Sequence, residues 1–139
     1  MRRPLAAVLS AVLVLVPAAC GGGGDDDETA GELTLELVAQ NGSRQEGTAT
    51  LTPTDDGGTT VAVELSNPPD VPQPSHIHGG TCDDIGDVVV PLESLVAGRS
   101  ETDVDMSIEE LRNGPLIVHA HKSEAEFDVS VACSAIPGS

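Results

Sequence analysis

Apolar and polar residues alternate along most of the chain beyond residue 32, and this period of two constrains the fold more than any other feature. It is clearest in Leu33, Leu35 and Leu37. Successive side chains of a strand point to opposite faces, so alternation indicates strands buried on one side. Further strand-like stretches, most of them alternating, lie at 49–51, 61–65, 75–78, 88–92, 102–106, 116–121 and 127–133.

Residues that favour turns separate these stretches. Asp55-Asp56-Gly57-Gly58 is a hairpin signal, and Asn67-Pro68-Pro69 breaks the chain before the next strand. Residues 107–112 are the one helix-like segment, with Ser107 as N-cap and Glu110 as its capping-box partner. Seven or eight short strands at this spacing predict an all-β fold, an antiparallel Greek-key β-sandwich or a flattened barrel.

Only one aromatic residue, Phe127, is present, so the core must be built from Val, Leu, Ile and Ala. A chain of 139 residues with a cleavable leader supports a single core. One aromatic side chain provides no stacking platform for bases or sugars. The motifs G-x-S-x-G, G-x-G-x-x-G, H-E-x-x-H and the phosphate-binding P-loop are also missing, which excludes many enzyme classes.

The first residues have the pattern of an export signal. A basic start, Met1-Arg2-Arg3, precedes an apolar run that is shorter than the ~20 residues needed to span a bilayer. The run ends in Ala18-Ala19-Cys20, which resembles the bacterial lipobox, although Pro17 stands where that motif usually has Leu. A plain secretory signal cleaved near Ala19 is the alternative.

This pattern predicts three segments. Residues 1–19 are a lipoprotein signal peptide, residues 20–31 a flexible Gly/Asp tether, and residues 32–139 the β-domain. Lipidation of Cys20 would anchor an exported protein to the cell membrane, facing the extracytoplasmic side.

The charge is strongly negative, with 23 acidic and 6 basic side chains and a formal net charge of −17. Without Arg2 and Arg3, the remaining 4 basic side chains would leave −19. Such a surface repels phosphate backbones and anionic lipid, so nucleic-acid binding is excluded. The acidic excess is typical of a solvated surface. Asp83, Asp84 and Asp87 form a cluster, but no EF-hand-like ladder accompanies it to predict a calcium site.

Three cysteines are odd for an exported protein, but lipidation of Cys20 leaves Cys82 and Cys133 as a pair. Outside the cytoplasm this pair is expected to be a disulfide. Closing a loop of about 50 residues stabilises a fold by about 4 kcal/mol in the chain-entropy account.

All four histidines fall into two His-x-His pairs, His76-Ile77-His78 and His119-Ala120-His121. In a strand, residues i and i+2 share a face about 6.5 Å apart, so each pair can direct two imidazoles at one ion. Nitrogen ligands without thiolate suit Cu(II), Zn(II) or Ni(II), and copper binds most tightly. Structural histidines hydrogen-bonded to carboxylates are the alternative, since spacing alone does not make the two strands neighbours.

Three stretches resemble Cu/Zn superoxide dismutases over about residues 33–136: Ser75-His76-Ile77-His78-Gly79-Gly80-Thr81-Cys82, Gly114-Pro115-Leu116-Ile117-Val118-His119 and Val131-Ala132-Cys133. The resemblance implies that His76, His78 and His119 are copper ligands and that Cys82 and Cys133 form the disulfide. His121 has no counterpart and would be a fourth donor or would support a ligand.

Two departures from the dismutase pattern argue against fast catalysis. The segment 83–113 contains no histidine, so no zinc site of the dismutase type is expected. Ser130 stands where dismutases place an Arg that attracts superoxide, and the acidic surface should repel this anion. The expectation is a copper-binding domain with weak or no dismutation and no assigned catalytic residue.

The same stretches also resemble CHRD domains, which carry a His-Ile-His-Gly motif, a Val-Val-Val-Pro-Leu-like strand (88–92 here) and a late strand ending in His. This likeness implies an alternative function. The domain would be a non-catalytic module without metal, with structural histidines and a surface that binds a protein or polymer partner.

Overall fold

The computed structural model describes residues 31–139, so the predicted signal peptide, Cys20 and nearly all of the tether lie outside the described residues. Eight strands and one short helix make up this part of the chain. They are β1 Leu33–Ala39, β2 Gly47–Pro53, β3 Thr59–Leu65, β4 Gln73–Gly80, β5 Ile85–Leu95, β6 Arg99–Val104, α1 Ile108–Leu111, β7 Leu116–His121 and β8 Ser130–Ile136. None of the helices within residues 31–139 has the length and apolar character to cross a membrane.

The strands form one antiparallel sheet in the order β5-β4-β7-β8-β1-β2-β3-β6. Strand β7 returns beside β4 after β5 and β6, which is a Greek-key connection. The two end strands, β5 and β6, are joined by a tight hairpin with a bridge between Val96 and Arg99, so the sheet is a nearly closed barrel. The predicted all-β, antiparallel architecture is confirmed.

The core is aliphatic, as the lack of aromatic residues requires. Leu51, Val61 and Leu95 are among its completely buried side chains. Leu51 and Val61 occupy inward positions of strands in which burial alternates, so in β2 and β3 the period of two in the sequence is the period of burial. Leu111 of α1 is also fully buried, and both hydrogen bonds of the capping box between Ser107 and Glu110 hold the start of this helix.

Several strands are longer than the sequence prediction, and β5, β6 and β8 differ from it most; β5 extends three residues beyond the predicted 88–92 at each end. Strand β6 begins at Arg99, three residues before the predicted start. Strand β8 begins at Ser130 and not at Phe127, because a turn with a hydrogen bond from the Val129 N–H to the Glu126 carbonyl precedes it. Phe127 therefore lies in the β7–β8 connection, outside the core.

Cys82 and Cys133 form a disulfide, with 5.9 Å between their Cα atoms. It links the segment after β4 to β8, which is two strands away across the sheet. The bridge closes a loop with a sequence separation of 51 residues. The predicted pairing is thus present, and it fixes the segment that leads into β5.

Candidate metal centre

The two His-x-His pairs lie on adjacent strands. Strands β4 and β7 pair antiparallel, with His76 directly opposite His119. Ile77 and Ala120, the middle residues of the two pairs, belong to the hydrophobic core, so all four histidines lie on the outer face of the barrel. The spacing of the histidines in the sequence does not show that the two strands are neighbours, and the structure shows that they are.

Although they are on the outer face, three of the four imidazoles are removed from solvent. His78, His119 and His121 are buried and His76 is partly buried. Loops cover them: the β7–β8 connection lies over His121, and the disulfide-linked segment after β4 approaches His78. The result is a small histidine pocket between the barrel wall and two connections.

His76, His78 and His121 converge. Each offers one ring nitrogen, and these nitrogens all lie within 4.8 Å of one another. It is the one such group of three or more His, Cys, Asp or Glu side chains found in residues 31–139. A group of this kind could hold a metal ion, with distances of about 2 Å to each nitrogen after a small adjustment.

Backbone carbonyls determine which nitrogen of two imidazoles carries the proton. Nδ1 of His78 donates to the Gly86 carbonyl at 3.0 Å, and Nδ1 of His121 donates to the Phe127 carbonyl at 2.5 Å. Because a carbonyl can only accept, Nε2 of each ring keeps its lone pair. Nε2 of His78 is buried and has no hydrogen-bond partner, and Nε2 of His121 lies 3.1 Å from Nδ1 of His76.

Two glycines allow the Gly86 carbonyl to reach His78. Gly80 has φ +98° and a Cβ there would lie 2.3 Å from the Asp84 carbonyl oxygen. At Gly86 a Cβ would lie 2.9 Å from the carbonyl oxygen of Gly79. Only glycine accommodates both close approaches, so the tight 80–86 segment is part of the construction of the site.

His119 lies beside the three-nitrogen group and does not belong to it. Its Nε2 lies 2.7 Å from Oγ of Ser130, while its Nδ1 is buried without a partner. Its ring centroid is 4.4 Å from that of His121. The resemblance to dismutases implied His119 as third ligand and His121 as the additional group, whereas here His121 completes the group and His119 adjoins it.

The local environment favours the neutral form of His76, His119 and His121. Burial, together with the neighbouring His121, His78 and His76, lowers the pKa of His119 to about 3. Burial also lowers the pKa of His76, with His121 and His78 adding to the effect. Burial lowers the pKa of His121 as well, although the hydrogen bond to the Phe127 carbonyl opposes this shift. Neutral imidazole is the form that binds a metal ion.

Three groups that hold the histidine rings in position could not be identified from the sequence. The carbonyls of Gly86 and Phe127 orient ligand rings, and Ser130 contacts His119. Backbone carbonyls are common to all residues, so only coordinates could identify them. In the sequence, Ser130 stands out only as the residue at the position of the dismutase Arg, and its contact with His119 is visible only in the structure.

Comparison of the chain with family models, with curated proteins and with solved structures gave no match. The description of this protein therefore rests on its fold and its site. It is an antiparallel β-barrel with a disulfide and a three-histidine group that could hold a metal ion.

Proposed function

We propose that this protein is an exported, lipid-anchored copper-binding protein with a superoxide dismutase-like β-domain and weak or no dismutase activity. The observation that carries the proposal is the convergence of His76, His78 and His121, two of which present an unprotonated Nε2 toward the pocket. Dismutases share the sandwich architecture, so the fold is compatible with this family.

Copper is the ion that suits the ligand set best. The group contains nitrogen donors only, and imidazole binds copper more tightly than the other divalent first-row metals. The carbonyl-fixed tautomers of His78 and His121 are the outer hydrogen bonds that usually support histidine ligands. Bound copper would supply a centre that alternates between Cu(II) and Cu(I).

Slow dismutation follows from electrostatics. The hydroxyl of Ser130 binds His119, and no cationic group stands at this position to attract superoxide. The net charge of −17 repels an anionic substrate, and electrostatic steering governs the association rates of such substrates. Storage or buffering of copper fits these features better than catalysis.

Export and anchoring are supported by the sequence and the disulfide. Disulfides persist in oxidising compartments and are rare in the cytosol, so the Cys82–Cys133 bridge agrees with an extracytoplasmic location. Cys20 is the proposed site of lipidation. Globomycin, which blocks lipoprotein signal cleavage, should cause the precursor to accumulate, and Cys20→Ser should release the protein from the membrane fraction.

A second candidate is the non-catalytic CHRD-like module without metal. The hydrogen bond of 3.1 Å between Nδ1 of His76 and Nε2 of His121 favours it, because these two rings satisfy each other without an ion. The unpartnered buried nitrogens of His78 and His119 argue in the other direction, since buried polar atoms are normally paired.

Metal analysis separates the two candidates. Protein purified from copper-replete cells after export should contain equimolar copper, and His78→Ala should weaken copper binding by about 100-fold or more. Val96→Ala, at an exposed position on the β5–β6 hairpin, is the matched control and should bind as the wild type does. A metal-free protein that takes up no copper on titration would establish the second candidate.

A further inference from the structure

Phe127 is the single aromatic residue of the chain, and it lies on the outside of the histidine pocket. Its side chain is 43% exposed. The ring stacks on that of His121, with centroids 3.9 Å apart and planes inclined by 15°. It also contacts His76 in an edge arrangement, at 5.5 Å and 62°. One exposed apolar ring thus covers two of the three grouped imidazoles.

The turn that carries Phe127 is held in place. The Lys122 N–H donates to the Val129 carbonyl at 2.8 Å, and Lys122 Nζ pairs with Glu126 at 2.7 Å. The Phe127 carbonyl itself accepts the Nδ1 proton of His121. Backbone and side chain of one residue therefore act together: the carbonyl turns the His121 lone pair inward, and the ring shields that imidazole from solvent.

We propose that Phe127 makes the site selective for the reduced, cuprous ion and closes its remaining coordination position to water and small anions. This inference rests on the proposed function and names the copper oxidation state that the site prefers. Cu(II) favours tetragonal coordination with additional ligands, and the three-nitrogen group on its own does not supply them. A covered three-nitrogen group therefore suits the cuprous state.

The apolar ring adds an electrostatic preference. An apolar cover lowers the local dielectric constant and excludes solvent, and both raise the cost of the more highly charged ion. The face of the ring packs on the imidazole of His121, so the effect comes from covering the ligand rings. No other aromatic side chain in this sequence could replace Phe127 as this cover.

The test compares Phe127→Ala and Phe127→Leu with the wild type. Cu(I) affinity is measured by anaerobic competition with bicinchoninate and Cu(II) affinity by competition with glycine. Phe127→Ala should lower the preference for Cu(I) over Cu(II) about tenfold, which corresponds to a reduction potential about 59 mV lower. Azide should change the Cu(II) electron paramagnetic resonance spectrum of this variant and leave the wild-type spectrum unchanged.

Phe127→Leu separates covering from aromatic character, since leucine keeps an apolar cover without a ring. Azide should remain excluded in this variant while the Cu(I) preference decreases only partly. Val96→Ala is the matched control for loss of an exposed apolar side chain. The inference is overturned if Phe127→Ala keeps the wild-type preference, if Val96→Ala changes it equally, or if azide reaches wild-type copper. A wild-type protein that binds no copper would instead overturn the proposed function.

Discussion

Nδ1 of His78 donates a hydrogen bond of 3.0 Å to the carbonyl oxygen of Gly86, the second residue of β5, which follows the short segment that the Cys82–Cys133 disulfide ties to β8. The disulfide thus stabilises the barrel and also supports the group that orients a candidate ligand. Its removal should affect stability and metal affinity together.

Replacing both cysteines, as Cys82→Ala with Cys133→Ala, should lower the free energy of unfolding by about 4 kcal/mol, because the unfolded chain regains the entropy of a long open loop. Copper affinity should fall about 10-fold or more, since the Gly86 carbonyl is no longer held against His78. Urea denaturation and chelator competition measure the two effects. Reduced wild-type protein should behave as the variant does, and equal urea midpoints for the oxidised wild type and the variant would contradict the prediction.

His121 and His119 should contribute unequally to copper binding. His121→Ala removes a member of the three-nitrogen group and should weaken binding by about 100-fold, whereas His119→Ala removes a neighbour and should cost about 10-fold. Ser130→Ala, which removes the partner of His119 but no ring, is the control. Competition with a copper chelator measures all three, and a larger loss in His119→Ala would restore the ligand set implied by the dismutase resemblance.

The metal-free protein should lose stability as the pH falls below about 6.5. The pKa values of His76, His119 and His121 are lowered in the folded state, so between the folded and unfolded pKa values the unfolded chain binds more protons. Each such proton changes the free energy of unfolding by at most about 1.4 kcal/mol per pH unit. Urea midpoints between pH 7.5 and 5 measure the slope.

The control for this pH dependence is His119→Gln, which should flatten the slope because one neutral, buried imidazole is gone. The carboxyl groups of Asp56 and Glu110 also have lowered pKa values, but they lose their stabilising effect only near pH 4 and below. Stability that is constant from pH 7.5 to 5 would contradict the prediction.

A positive charge at position 130 should raise superoxide turnover by the copper-loaded protein. Ser130→Arg supplies a cation beside His119 and should increase the rate about 10-fold at low ionic strength, with the gain decreasing as salt is added. Ser130→Gln loses the same hydroxyl without adding charge and is the matched variant. Pulse radiolysis measures the rate, and an equal increase in both variants would rule out steering.

The alternation of residues was sufficient to predict strands such as β1, β2 and β3, because one face of each lies in the core. The same reasoning extended the last strand to Phe127, since Phe127, Val129 and Val131 continue the period of two. The structure has a turn there, and an apolar side chain at position 127 serves the histidine pocket and not the core. The pattern of apolar and polar residues does not distinguish an apolar side chain in the core from one that packs on the histidine pocket.

The sequence was sufficient to predict which histidines form the site, but it did not predict how they are arranged. The sequence shows two His-x-His pairs, but the register that sets His76 opposite His119 arises from long-range strand pairing. The distinction between His119 and His121 depends on a hydroxyl at Ser130 and a carbonyl at Phe127, which spacing does not report.

The two histidine doublets are separated by forty-odd positions along the chain and meet only through the pairing of β4 with β7. An unfolded chain offers a copper ion no more than one doublet of neighbouring rings at a time. The barrel must therefore form before the ion is bound tightly. Copper that binds afterwards would stabilise the folded protein, because its binding free energy opposes unfolding.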